Sequence, residues 1–285
     1  MILRDIRPHP GLREFIRCYR LVHFEFAQDD LIPVKTYPPK PEQILHFFLH
    51  DFFAVQKQNG PIQRQPAMML AGQRSFVTNQ YNGCHFIDVQ IVFQPTAVFQ
   101  LTGIPADQLT DQHLDATLIF TSGIKETFQR LQEATNYSEL VIIIEAFAIE
   151  LFKRIRFERP ALTVVSQRLI ETAGGGNLTQ WASEACLSTR QFKRKFLEST
   201  GVNPKTYARI VRFNRAFNLR NRYALLDWLS IAVLCGYYDY QHLSKDYQDF
   251  TGLTPIEFHR LEGLSPEKQL GLTDSLYLTR AEMSI

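Results

Sequence analysis

Leu178-Thr-Gln-Trp-Ala-Ser-Glu-Ala-Cys-Leu-Ser188-Thr-Arg-Gln-Phe-Lys-Arg-Lys-Phe196 is matched, further along the chain, by Trp228-Leu-Ser-Ile-Ala-Val-Leu-Cys-Gly-Tyr-Tyr-Asp239-Tyr-Gln-His-Leu-Ser-Lys-Asp-Tyr247. Each stretch reads as a short amphipathic helix, a tight polar turn with a capping residue, and a second helix whose outer face is polar. Such a unit suits a helix laid in a DNA major groove, and two units one DNA turn apart let one chain read two successive groove segments.

Within the first unit Ser188 is an N-cap with Gln191 three residues on, a capping-box pattern. Phe192 and Phe196 are four apart and share the core face, while Arg190, Lys193 and Arg194 gather on the opposite side. Those cations can reach guanine O6 and N7 or the flanking phosphates. Thr189 and Gln191 stand at the end where a recognition helix approaches base edges. In the second unit Asp239 caps, Leu243, Tyr247 and Phe250 point inward, and Tyr240, Gln241, Ser244 and Lys245 face out. Gly201-Val-Asn-Pro204 is echoed by Gly252-Leu-Thr-Pro255, so the repeat includes the helix terminators.

A long helix, Lys205 to Arg222, joins the two units, with Arg209, Arg212 and Arg215 as a candidate phosphate rail or, for some of them, as partners of acidic side chains. From Arg190 to Arg222 there are ten basic residues against Glu198 alone, the local footprint of a phosphate-facing surface. From Tyr223 to Glu262 two cations, Lys245 and Arg260, meet six carboxylates, a balance of minus four. The first recognition helix is therefore expected to supply most of the affinity, and the second to add discrimination through Gln241 and Tyr240.

The rest of the chain sets the frame. At 285 residues, 45% hydrophobic and net +2, it has room for two ordinary domains with a packed core. Residues 1 to about 120 read as short strands broken by Pro, Gly and Asn, the better candidates being Ile44–Phe53, Met68–Leu70, Ser75–Thr78 and Phe86–Phe93. Turn signals stand at Pro38-Pro39 and Asn59-Gly60-Pro61. The period then turns helical, with Ile124, Phe128 and Leu131 on one face and a second helix over about 138–157. That second helix is apolar around most of its girth, which marks it as core or as a homodimer contact.

The fold class expected is α+β: an N-terminal β-barrel-like domain with helices, then an all-α domain with two helix-turn-helix units. The divisions are 1–158, 161–262 and a tail 263–285, with Arg159-Pro160-Ala161 as boundary and the tail packing loosely. The N-terminus lacks a signal-peptide core, and the apolar run Leu140–Phe152 is too short to span a bilayer, so a cytoplasmic protein with no membrane partner is expected. The four cysteines form no CxxC pair and fit a reduced compartment, with Cys186 and Cys235 packing as small apolar side chains at the two turns.

Other chemistry is weaker. His46 and His50, with Glu25 or His85 nearby, lack a cupin-type ligand pattern and read as satisfied or surface histidines, so no metal is expected. Cys84-His85 is an adjacent pair without implied contact. No Gly-rich phosphate loop or nucleophile elbow is present, so neither catalytic residues nor a cofactor are expected.

The helix-turn-helix residues resemble the C-terminal domain of AraC/XylS-type transcriptional regulators. The resemblance rests on Ser230-Ile-Ala, on Gly236-Tyr237, and on Gly252-Leu-Thr-Pro255 with Phe258 and Arg260, and covers about residues 161–262. It implies seven helices, two of them recognition helices in successive groove segments, with base-reading positions Arg190, Lys193 and Arg194, then Tyr240, Gln241, Ser244 and Lys245. The chain departs from the family in having Leu197 and Gln248 where a basic residue is usual, and Lys245 in place of Arg, which loses bidentate geometry.

The N-terminal part resembles a sensor domain of an uncharacterised subgroup of these regulators, through Tyr37-Pro-Pro with Gln43–Leu49, and Val92-Phe-Gln-Pro95 through Leu101–Asp111. The partners expected are double-stranded DNA, a candidate small-molecule effector, a candidate second copy of the chain through the apolar helix 138–157, and RNA polymerase if the protein activates. The alternative is an N-terminal domain used only for protein contacts, with no effector; a closed cavity favours the former and a filled core the latter.

Overall fold

A computed structural model describes residues 1–57, 60–121, 123–153 and 160–272. The described residues include ten strands: β1 (Ile2–Ile6), β2 (Ile16–Glu25), β3 (Lys35–Tyr37), β4 (Ile44–Phe48), β5 (Phe53–Lys57), β6 (Ile62–Arg64), β7 (Met68–Ala71), β8 (Thr78–Asn82), β9 (His85–Phe93) and β10 (His113–Asp115). They form two antiparallel sheets, ordered β1-β2-β9-β4-β7-β10 and β3-β8-β5-β6. The α+β class stands, but the β-rich part is a pair of sheets and not a closed barrel.

Side-chain alternation decides what the six-stranded sheet covers on each face. Leu45, Phe47 and Leu49 of the β4 segment, with Val89, Ile91 and Phe93 of β9, join one core with α2 (Ile124–Glu133) and α3 (Tyr137–Phe152). The intervening Phe48 and Phe86, with Val22 and Phe24 of β2, pack instead toward Phe53 and Val55 of the smaller sheet. The result is three layers: helices, large sheet, small sheet. In α3 the buried face is Leu140, Ile143, Ile144, Phe147, Ala148 and Phe152, while Ile142 and Ile149 remain exposed.

The expected strand Ile44–Phe53 is two strands, broken at His50-Asp51, so His50 lies beyond the end of β4. The expected strand Ser75–Thr78 is realised only from Thr78 onward, as β8. Strands β1 and β2 carry no clean apolar alternation. Arg20 sits buried in the middle of β2, where Asp5 (2.8 Å) and Glu42 (3.0 Å) neutralise it from other parts of the chain. Residues Asn59 and Arg159, the end of the expected helix beyond 153, and the tail beyond 272 lie outside the described residues.

After α1 (Ala97–Thr102), α2 and α3, the remaining helices are α4 (Ala161–Glu171), α5 (Leu178–Glu184), α6 (Thr189–Thr200), α7 (Pro204–Arg222), α8 (Trp228–Leu234), α9 (Tyr240–Thr251), α10 (Pro255–Glu262) and α11 (Pro266–Gln269). From α4 to α10 that is seven helices, around one core in which Phe192, Phe196, Phe213, Tyr247 and Phe258 are fully buried. Each such aromatic contributes on the order of 2 kcal/mol through burial alone.

The expected loose tail is instead anchored at several positions. Ser265 and Glu267 are buried, and Leu270 and Leu272 pack against the inter-sheet core of Val22, Phe24, Phe48 and Phe53. Apolar side chains at the end of the helical region thus complete a core that belongs to the β-rich one.

Candidate nucleic-acid interface

Both helix-turn-helix units are built by the same devices. In the first, Asn177 caps α5 and Ser188 caps α6, each through a capping box, with Gln180 and Gln191 as the returning side chains. In the second, Asp227 accepts from Ser230 N (2.9 Å) and Asp239 from His242 N (2.8 Å). These caps satisfy amides that a helix start leaves without intrahelical partners, and so fix where each helix begins. Both recognition helices end in a left-handed glycine, Gly201 (φ 93°) and Gly252 (φ 74°). Asn203 and Thr254 then cap the next helices, and Pro204 and Pro255 occupy their first turns.

On α6 the positions assigned to DNA, Thr189, Arg190, Gln191, Lys193 and Arg194, are all solvent-exposed, as is Lys195. The Gln191 carbonyl oxygen is committed to the cap, accepting from Ser188 N (3.2 Å) and Ser188 Oγ (3.0 Å). On α9 Gln241 and Lys245 are exposed, whereas Ser244 is half-buried and Tyr240 leans on the helical core. Tyr240 thus presents less of itself outward than the helical wheel suggested. Leu197 is exposed, Gln248 closes back on Gly252 O (2.9 Å), and neither position supplies a cation.

On the joining helix α7, pairing with acids, the alternative to a phosphate rail, is what Arg209 shows. Arg209 donates to Asp246 (2.7 Å) and to Asp249 (2.5 Å), and Asp246 also accepts from Tyr237 Oη (3.0 Å). Burial and the neighbouring Asp246 together push the Tyr237 hydroxyl well above its usual range, so it remains a donor. The Arg212 guanidinium lies over the Tyr237 ring at 5.3 Å, and Arg220 donates to Leu226 O (2.7 Å) while lying over Trp228. Phosphate contact by Arg209 or Arg212 would have to compete with these partners. The pairing acids lie far along the chain on α9, so no local pattern announced them. Exposed cations cluster on α6, while Lys205 and Lys245 stand exposed on α7 and α9.

The β-rich region grips both recognition helices at their C-terminal ends. Thr110 Oγ1 donates to Gly201 O at 2.6 Å, and Val77 N donates to Phe250 O at 3.0 Å. Two further contacts join the regions: the Thr96 and Thr163 hydroxyls (2.7 Å), and a buried trio in which Lys35 meets Glu262 (2.6 Å) and Glu267. The two acids hold the Lys35 ammonium charged, well above its ordinary range, although burial opposes this.

Between the two sheets lies a cavity of about 70 Å³. Its walls include Phe53, Phe86 and Tyr37, the buried Arg74 guanidinium 4.0 Å over the Tyr37 ring, and Phe217 and Glu267 from the helical region. His46 Nδ1 bonds Asp88 Oδ2 at 2.9 Å on the cavity side. Asn82 Oδ1, Asp88 Oδ1 and Gln90 Oε1 are buried acceptors with no partner among the described residues. Among those residues no helix is long and apolar enough to cross a membrane.

A family model described as a helix-turn-helix domain matches residues 181–261, and one described as a domain of unknown function matches residues 4–115. No curated protein sequence matches the chain. Among solved structures, an apo single-site variant of ToxT from Vibrio cholerae strain SCE256 superposes with a TM-score of 0.50 at 12% identity, covering 87% of this chain and 98% of that one. A second ToxT structure from Vibrio cholerae gives 0.49 at 12% identity over 85% and 98%. ToxT bound to an unsaturated fatty acid gives 0.48 at 13% identity over 87% and 95%. At such identity the likeness concerns the fold.

Proposed function

We propose that this chain, whose C-terminal part matches a helix-turn-helix family model and resembles the AraC type, is a sequence-specific transcription regulator in which α6 and α9 read successive major-groove segments. The observation that carries this is the pair of capped, glycine-terminated recognition helices on one rigid core, with Arg190, Lys193 and Arg194 exposed on the first and Gln241 and Lys245 on the second. Long cations and a carboxamide at those places can address base edges and phosphates together. The charge balance assigns most of the affinity to α6 and discrimination to α9.

The β-rich region is the sensing part in this reading. Its inter-sheet cavity joins aromatic walls to a buried guanidinium and three carbonyl or carboxylate acceptors, a lining suited to a small polar molecule. Ile142 and Ile149, seven apart on the outer face of α3, are the side chains through which a second copy would pack. The division is a sensor over 1–158 and a DNA-binding domain over 161–262, with Leu270 and Leu272 of the tail packing against the β-rich core.

The test is selection of bound sequences from a random duplex pool, using full-length protein at two salt concentrations. Two short enriched blocks about one helical turn apart are expected, and an inverted or direct duplication of them would reveal a dimer. Binding that enriches nothing and vanishes at the higher salt would reduce the activity to phosphate contacts and overturn the sequence-specific reading.

A further inference from the structure

The helix-facing rows of β2 and β9 run on past the first turn of α3, and there their chemistry changes. Tyr19 and Leu21 of β2, and Val89 and Ile91 of β9, lie in the core under the helices. The same faces continue with His23 and Glu25 on β2 and with Ile87 and His85 on β9, since alternate residues of a strand share a side. Glu25 and His85 are direct cross-strand partners, and His23 is two residues from Glu25. Three metal-binding side chains of two kinds therefore stand together on a rigid antiparallel ladder.

Their side chains converge. His23 Nε2 is 2.9 Å from Glu25 Oε1, and His85 Nε2 is 3.7 Å from the same oxygen. One donor atom from each of the three lies within 4.8 Å of the others. The site also has outer support. Tyr137 Oη, at the start of α3, sits 2.6 Å from His23 Nδ1 and leaves Nε2 pointing at the carboxylate. The His50 ring stacks on His85 with centroids 4.4 Å apart, and Asp51 accepts from His85 N at 2.6 Å.

We propose that His23, Glu25 and His85 form a binding site for a divalent transition cation of zinc type, with water completing the coordination. Two imidazoles and one carboxylate suit zinc, cobalt or nickel; three side chains with a single carboxylate are too few oxygens for calcium, and soft thiolate-seeking metals find no sulfur ligand in the set. Bonds of the usual length hold ligand atoms about 3.3 Å apart, so closure asks only that the exposed Glu25 and His85 side chains turn inward. With Nε2 of His23 on the metal, its Nδ1–H donates to Tyr137 Oη, the outer-sphere contact that commonly fixes a ligand histidine. The cation then ties the end of the β2–β9 ladder to the first turn of α3.

The experiment uses untagged full-length protein stripped with EDTA, titrated with Zn²⁺ by calorimetry and with Co²⁺ by visible absorption. The expected result is one equivalent bound, lost in His23→Ala and in His85→Ala, with cobalt bands that collapse in Glu25→Gln. Tyr137→Phe keeps all three donors and is expected to weaken binding roughly 10-fold or more. His9→Ala and His242→Ala, at other solvent-facing histidines, are expected to bind as the unaltered protein does. Stoichiometric binding that survives removal of all three ligands, or the absence of binding by folded, unaltered protein, would overturn the assignment. Melting curves without metal identify any variant that fails to fold, and Glu25→Gln, at an exposed position, then serves as the deciding variant.

Discussion

Cys186 occupies, in the turn of the first unit, the place Gly236 holds in the second. Both take the left-handed conformation, at φ 55° and 76°, and only the glycine does so without strain. The expectation that Cys186 packs as a small apolar side chain is corrected by its exposure, although Cys235, at the other turn, is buried as expected. The repeat made the turn legible but not the backbone sign within it. Cys186→Gly is expected to raise stability by about 1 kcal/mol, the relief of the left-handed strain exceeding the added freedom of the unfolded glycine. A urea midpoint that fell on substitution would contradict this.

His259 is the second informative residue. Its Nε2 lies 3.0 Å from Tyr247 Oη, against Trp228 and Phe217, and burial followed by the charges of Arg220, Lys268 and Lys35 pulls its pKa down to about 3. His113 is lowered to about 3 in the same way, first by burial and then by Arg74. The folded values lie below the unfolded value of 6.5, so the unfolded chain takes up protons first as the medium is acidified. The contribution to stability is whole above pH 6.5 and is lost as pH falls toward 3, at up to about 1.4 kcal/mol per pH unit per histidine. His259→Gln is expected to flatten the fall in urea midpoint between pH 7 and 5; an unchanged slope would refute the assignment.

Among the elements, the helices were the most legible, because caps and terminators act locally and repeat. Ser188, Asp239 and the two Gly-x-x-Pro segments mark ends that the structure places within a residue or so of expectation. Strands were less legible wherever a charge sits inside one. Arg20 looks like a surface residue until Asp5 and Glu42 are brought to it by pairing that no local pattern encodes. The recognition helices look equivalent in sequence, yet their ends meet different surroundings. A Cβ on Gly201 would come within 2.7 Å of Thr110 Oγ1 and 3.0 Å of Ala106 O, whereas one on Gly252 meets nothing within 4 Å. Both substitutions to Ala carry left-handed strain of on the order of 1 kcal/mol. Gly201→Ala is expected to cost clearly more, by prising α6 from the β-rich region; equal losses in thermal melts of the two variants would argue against that docking.

Over the whole molecule, the least legible feature is the joint between the two regions. Lys35 on β3 and the acids Glu262 and Glu267 are far apart in the chain, and each alone reads as a surface charge. In the fold one ammonium and two carboxyl groups are buried together. Burial and the charge of Glu267 outweigh Lys35 at Glu262, whose carboxyl is held above its ordinary range. Lys35→Met strands two acids and is expected to destabilise the protein by roughly 3–5 kcal/mol. The triple change Lys35→Met, Glu262→Gln, Glu267→Gln is expected to recover most of that loss in chemical denaturation. Failure of the triple variant to regain stability would mean that packing by the lysine stem, and not charge balance, holds the joint.

The coupling carried by the hydrogen bonds from Thr110 to Gly201 and from Val77 to Phe250 acts both ways. Any duplex that shifts α6 and α9 to fit its grooves loads those two bonds, and thermodynamic linkage makes the coupling mutual. Under the proposed function an operator is then expected to act as an allosteric ligand of the sheets. Its addition should alter amide exchange around residues 73–78 and 106–111, remote from the bound bases. The factor by which DNA changes the affinity for a cavity ligand should equal the factor by which that ligand changes the affinity for DNA.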